Sequence, residues 1–334
     1  MAITNIGSVT VRGASQNVSI MYRNPLYVAD KLFPIIDGVL KQSKVAKYVK
    51  GPWFRDEAEI RAPMGAAVIG EFRLATENLD PINYAFAAGV SEEELAASKE
   101  PGALPYKPEA DALELIAEKL DLKREVRTSA VLHATNWGGA GAGGADAEGH
   151  WGDGTAANDT FLADIVAGRD SILSNTGMLP NTLFLSWPAW SKLQVAPALL
   201  ALMNPTGLGA SALVQIPTLA SLIGVNEIIV GMAVKNTDEE TVADTSFTSV
   251  NIWGTTSSET KGVGFLYYKP ATPDLKTASA GYQYRLKKEN GAGRISTTWA
   301  VPARHGVMYD SEEDVDIAAV GIDLGYMWKD TATT

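Results

Sequence analysis

Gly139, Gly141 and Gly144 stand at the G-x-G-x-x-G spacing that cradles a dinucleotide pyrophosphate, the sharpest chemical motif in the chain. That chemistry needs a strand before the glycines, a helix opening at their end and an acid about 20 residues further on. Here a helical pattern precedes the glycines, and the next helix begins only at Asn158 or Asp159. In a tract alternating Gly with Ala, residues 138–154 are expected to form a flexible loop. His133 and His150, with Asp146, Glu148 and Asp153, contain the right atoms for a hard-metal or hydrolytic cluster, but no H-E-x-x-H spacing joins them. His133 is expected to be packed or capping on a helix, and His305 to lie between two strands. Asp310, Glu312, Glu313, Asp314 and Asp316 resemble the start of a calcium loop. Val315 and Gly321, however, occupy the positions where that loop needs glycine and an acid. A solvated charged face is the expectation. No G-x-S-x-G elbow or Walker loop occurs. No catalytic, cofactor-binding or metal-ligating residue is therefore assigned, and no cofactor is expected.

Composition narrows the classes further. The chain of 334 residues has no cysteine, which excludes disulfides, thiolate nucleophiles and zinc–thiolate sites. Lys and Arg total 28 against 39 Asp and Glu, a net charge of −11, which argues against a protein whose main task is gripping phosphates. With 46% hydrophobic residues a sizeable core is available. The opening MAITNIGSVTVRGASQN has no basic region followed by an apolar core, so no signal peptide is expected and the default address is cytoplasmic. Leu213 to Val234, interrupted by Gln215, Pro217, Asn226 and Glu227, reads as buried strands and loops rather than a membrane span.

The elements that would have to position any site follow from periodicity. Residues 1–40 show little periodicity and cannot bury a face of their own, which predicts disorder or an arm laid on something else. Lys41, Lys44, Lys47 and Lys50 form a solvated basic edge. Val45 to Leu74 predicts two strands, the first carrying Val45, Tyr48, Val49, Trp53 and Phe54, the second Val68, Ile69, Phe72 and Leu74. The charged tip, Arg55 to Gly65, lies between them. Such a ribbon is marginal alone, so something must cover it. After the breakers Pro101, Gly102 and Pro105, a long helix is predicted from Pro108. Leu113, Ile116 and Leu120 form one stripe, with Leu115, Leu122, Val126, Ala130 and His133 another. A second helix ends at Gly177, Thr182 to Leu185 is a short buried strand, and Pro188 opens a third helix. Strands flank Pro302.

This order resembles the major capsid proteins of tailed double-stranded DNA phages, of the Hong Kong 97 fold type. The resembling segments are PEADALELIAEKLDLKREVRTSAVLHAT for a spine helix, then Gly152-Asp153-Gly154-Thr155, then NDTFLADIVAGRDSILSNTGMLPNTLFLSWPAWSKL. The resemblance implies an α+β fold with an N-terminal arm (1–44) and an extended loop (45–75). It implies a peripheral domain (76–150 and 282–310), an axial domain (151–281 and 311–325) and a C-terminal tail (326–334). It implies a structural, non-enzymatic protein that assembles with itself as pentamers and hexamers into an icosahedral head. That assembly would take place in the host cytoplasm and end in the virion, with scaffolding, portal and decoration proteins as further partners. Contact with packaged DNA would be weak and non-specific, and no membrane is involved. Arg55, Asp56, Glu57, Glu59 and Arg61 on the loop would make an intersubunit contact. Some members lock their shells by a lysine–asparagine bond with the lysine on this loop, but no lysine occurs here between Lys50 and Lys99. An encapsulin-like compartment shell is the alternative, and a soluble enzyme using the 138–154 loop a more distant one.

Overall fold

The computed structural model describes residues 26–41, 43–71, 73–100, 107–139, 141–203, 213–238, 248–254, 261–274, 277–287 and 293–332. Pro101, Gly102, Pro105 and Phe72, and the arm before Leu26, lie outside them. In chain order the elements are α1 (Ala29–Leu32), β1 (Ile35–Val39), β2 (Ser43–Tyr48), α2 (Lys50–Trp53), β3 (Leu74–Leu79), β4 (Ile82–Ser91), α3 (Glu92–Ser98) and α4 (Pro108–Ala134). There follow β5 (Ala145–Asp146), α5 (Phe161–Thr176), β6 (Thr182–Ser186), α6 (Trp187–Leu193), α7 (Pro197–Met203) and α8 (Ile216–Ile223). The last strands are β7 (Glu227–Gly231), β8 (Val234–Asn236), β9 (Ser249–Asn251), β10 (Gly264–Tyr267), β11 (Gly281–Leu286), β12 (Arg294–Val301), β13 (Gly306–Ala319) and β14 (Gly325–Lys329).

One sheet has the order β5-β14-β10-β6-β7. Both of its faces are buried, and the strand period of two sends alternate side chains to different cores. Leu183, Leu185, Ile228, Val230, Leu266 and Trp328 meet Phe161, Ile165 and Ile172 of α5, with α6 and α8 alongside. Phe184, Ile229, Phe265, Tyr267 and Met327 point the other way, onto Leu32, Phe33, Leu132, Trp137 and Trp253. This explains why each strand reads as a continuous apolar run rather than an alternating one. Within the stretch from Leu213 to Val234, Ile216–Ile223 is a helix, closed by Gly224 in the left-handed conformation that glycine alone adopts freely.

The second sheet is built on β13, which pairs antiparallel with β4 along Gly306–Val315 and with β12 along Gly306–Glu313, then with β11 through Val315–Ala319. The long helix α4 lies across it. Pro108 sits in the first turn, where its missing N–H costs nothing, and the helix runs 27 residues, about 40 Å. Its buried line is Ala112, Ile116, Leu120, Arg124, Glu125, Thr128 and Leu132. Leu113 and Leu115, expected in the apolar stripes, are exposed, because the row facing the sheet is partly polar.

Several expectations are corrected. Residues 28–39 do bury a face within the chain: Val28, Ala29, Leu32, Phe33, Ile36 and Val39 are core, and β1 runs parallel to β11. The covering partner is some 250 residues away, so local periodicity cannot show it. The expected ribbon is shorter and lies nearer the body, as β2 pairs with β3 from Ser43↔Leu79 to Tyr48↔Leu74. Trp53 closes the short α2, and Val68 and Ile69 are in no strand. The boundary expected at residue 310 falls inside β13, because a strand with partners on both sides stays in one sheet. Residues 326–332 are no tail: β14 is central to its sheet, with Met327 and Trp328 buried. The acidic run 310–316 is no solvated face either. Ser311, Glu313, Asp314 and Val315 are buried, because β13 is an inner strand with neighbours on both edges and Glu313 meets Arg124 of α4.

Candidate assembly surface

Between α2 and β3 the chain runs out and back with few internal contacts. Of the five loop residues expected at a contact, the structure joins Arg55 to Glu57, with Nη1 2.8 Å from Oε1. Arg61 Nε donates to the Gly65 carbonyl at 2.5 Å, closing a tight turn with Met64 at φ 63°. Asp56 and Glu59 enter no ion pair among the described residues. The two limbs come close where Glu57 Oε2 would lie 3.2 Å from a Cβ at Gly70. Ile60 (102% exposed), Met64 (101%) and Ile69 (91%) present their whole side chains to water, with Trp53 and Phe54 also exposed at the base. An apolar series of this extent marks a binding surface. Its sequence signal is Ile60, Met64 and Val68 at four-residue steps, a helical spacing that Pro63 and Gly65 break, so that these residues line no packed face.

The foot of the loop is tied down. Lys50 Nζ lies 2.5 Å from Asp323 and donates to the Asn175 carbonyl at 3.3 Å. The Phe54 ring packs over Gly177, where a Cβ would be 3.4 Å away. The basic edge at Lys50 is thus partly a strut.

Behind the loop, the frame that holds it is polar and closed. Arg124 makes two hydrogen bonds from Nη1 to the Asp30 carboxylate, at 2.8 and 2.9 Å, and pairs through Nε and Nη2 with Glu313. Arg294 bridges Glu313 at 3.0 Å and Asp121 at 2.6 Å. Burial pushes the Glu313 carboxyl up, but the two guanidiniums outweigh it and leave the group below the usual carboxylate range. One residue along α4, Glu125 is fully buried. It accepts from the Val28 and Ala29 amides at 3.0 and 2.8 Å and from the Trp253 indole at 2.8 Å. Here burial wins, and the Glu125 carboxyl is raised despite those three donors.

The motifs considered for catalysis are not brought together. His133 is buried on α4 with Nδ1 donating to the Ser129 carbonyl at 2.7 Å, and burial lowers its pKa. His150 lies 3.7 Å from Glu148 and 3.9 Å from Asp153, and His305 sits in the turn between β12 and β13 at φ 45°. Among the described residues, no three His, Asp or Glu side chains gather as a metal site would require. The glycine tract is a packed loop rather than a flexible one. Trp151 and Ala147 are core, and a Cβ at Gly144 would lie 2.6 Å from the Met327 carbonyl oxygen. The Gly141 and Gly144 amides are already spent, on Asn136 Oδ1 and the Gly141 carbonyl. Gly144 therefore serves close packing against β14, and the Gly141 and Gly144 amides are not free to cradle a phosphate.

No family model matches the chain, and no curated protein matches it. Solved structures do. A phage-related protein from Bordetella bronchiseptica is similar over 94% of both chains, at 22% identity and a TM-score of 0.67. The capsid structure of cyanophage P-SCSP1u is similar over 98% of this chain and 96% of its own, at 9% identity and a TM-score of 0.60. An encapsulin complex from Synechococcus elongatus is similar over 100% and 98%, at 10% identity and a TM-score of 0.50. Matches this complete at so little identity mean that the arrangement of elements is shared rather than the residues. The chain has the α+β capsid fold of the Hong Kong 97 type.

Proposed function

We propose that this chain is a major capsid subunit of a tailed double-stranded DNA phage, assembling with itself as pentamers and hexamers into an icosahedral head. The observation that carries the reading is the loop between Phe54 and Arg73, where Ile60, Met64 and Ile69 are each more than 90% exposed, further than any large apolar residue of the body among the described residues. A side chain exposed in the free subunit at this density finds its burial on a neighbour. Arg55, Asp56, Glu57, Glu59 and Arg61 would flank that contact and set its register. The β4–β13–β12 sheet with α4 forms the peripheral domain, and the sheet containing β6, β7, β10 and β14 the axial one. The role is structural and non-enzymatic. The virion is its destination after assembly in the host cytoplasm, and scaffolding, portal and decoration proteins are further partners. Packaged DNA touches the wall only weakly and non-specifically. Among the described residues no helix is long and apolar enough to cross a membrane.

The encapsulin-like shell remains the second reading, since an encapsulin shares the fold across the whole chain. Negative-stain microscopy of the purified protein tests both. Closed shells or isolated rings of five and six are expected, and a uniform population of monomers or dimers at high concentration would overturn the reading. Nucleic acid inside shells purified from the producing virus separates a phage head from a compartment filled with enzyme.

A further inference from the structure

The outer strand β12 pairs with β13 on one side, and among the described residues its other edge pairs with no strand. Ser296 to Ala300 are all exposed, on both faces of the sheet, with Trp299 at 45%. Edge strands of this kind normally carry a lysine, a proline or an inward charge that stops another chain from adding to them. From Ile295 to Val301 this one carries none. An unguarded, uncharged edge seven residues long is built to be paired.

Its sequence specifies with what. When two copies of one strand pair antiparallel about a two-fold axis, residues that face each other share the same hydrogen-bonding sense, so their numbers sum to an even value. Centred on Thr297, the register sets Ile295 opposite Trp299, Ser296 opposite Thr298, Thr297 opposite itself and Arg294 opposite Ala300. Ile295, Thr297 and Trp299 lie on one face, so the two-fold makes two aromatic–β-branched pairs around a Thr–Thr pair, both favourable cross-strand combinations. Arg294 is already held by Asp121 and Glu313 and meets no like charge. Shifting the centre to Thr298 would oppose Trp299 with Thr297, a smaller and more polar partner than Ile295, so the Thr297 register covers more of the indole.

We propose that β12 is an isologous contact, pairing antiparallel with β12 of a second copy about Thr297 to make one continuous sheet across two subunits. Resting on the shell reading, this contact falls between rings. Contacts within a ring of five or six are head-to-tail, whereas a contact that joins two rings across a two-fold has to be self-complementary, as this register is.

The cysteine-free chain makes the test clean. In particles of Thr297→Cys, mild oxidation is expected to move most of the protein to a band at twice the 35.5 kDa monomer on a non-reducing gel. Ser221→Cys, on the exposed side of α8, is expected to stay monomeric. Trp299→Lys is expected to lower particle yield at least tenfold with unchanged circular dichroism, and Trp299→Phe to restore it. Particles of Thr297→Cys that do not cross-link, or full assembly of Trp299→Lys, would overturn the two-fold pairing and leave the shell reading standing. If the parent protein forms no particle or ring, the shell reading falls. Cross-linking of free Thr297→Cys subunits at high concentration then decides the pairing alone: dimers support it, and monomers overturn it.

Discussion

Two regions of this molecule carry dense charge, and they use it in opposite ways. Under α4, Arg124 and Glu313 are withdrawn from water and, with the half-buried Arg294 and Asp121, satisfy one another. On the loop beyond α2, Arg55, Glu57 and Arg61 are bathed in solvent and pair only with near neighbours in sequence, while the apolar residues between them have no cover. One network finishes a fold; the other leaves a surface unfinished. The contrast teaches what the proposed contact would use: charges to guide it, and the free energy of covering side chains that are bare in the free subunit.

The comparison breaks first at the buried end. Arg124→Met removes the partner of a carboxylate that is 2% exposed and is expected to destabilise the subunit by about 3 kcal/mol, near the lower bound for breaking a buried pair because Arg294 remains. Urea denaturation measures this, and a loss under 1 kcal/mol would mean the network is not what holds α4 to β13. Acid should act on the same pair. Glu313 titrates lower in the folded state than its unfolded value of about 4.3, so the stability it contributes is complete above that value and is lost as pH falls through the folded pKa. Glu125 has the opposite sign, being raised, so its ionisation subtracts stability as pH rises through its folded value. The denaturation midpoint is expected to fall steeply below about pH 4, and Glu313→Gln to flatten that limb.

At the exposed end, replacing Ile60, Met64 and Ile69 together by serine is expected to change subunit stability by less than about 0.5 kcal/mol, as surface substitutions do. Sedimentation should nonetheless show particles replaced by free subunits. Unchanged particle yield would show that the loop is not the contact. The smallest effect is assigned to Arg55→Glu with Arg61→Glu, because exposed pairs are worth ~0–1 kcal/mol each. Assembly should slow at low salt and approach the wild-type rate at high salt, where screening removes the difference. A defect that persists at high salt would instead assign the arginines a packing role.

Legibility divided along similar lines. Pro108 and the run that follows announced α4 within one residue of its end, Gly177 closed α5, and Pro302 separated β12 from β13, because each signal lies beside the structure it causes. The failures are long-range. Glu313 meets Arg124 at a separation of 189 residues, so a local reading of five acids could only suggest a wet face. The glycine tract reads as flexible because its packing partner, β14, is almost 200 residues away. Loop charges are conspicuous in a sequence, whereas Ile60 and Met64 are single apolar residues of a kind ordinary on any surface, and Ile69 reads as part of a strand that does not form there.

The parallel pairing of β1 with β11 bears on timing. Gln283 donates to the Ala29 carbonyl across 254 residues, and the Val28–Val39 segment has no other sheet partner than the strand beginning at Gly281. At ~5–20 residues per second, a ribosome delivers that strand roughly 10–50 s after the segment itself. Through that interval Leu32, Phe33 and Ile36 cannot take their final places, and neither can the foot of the loop, since Asp323 is made later still. A nascent chain is therefore unable to fix the foot of the loop until Asp323 has been made, and the proposed contact would have to wait for that moment.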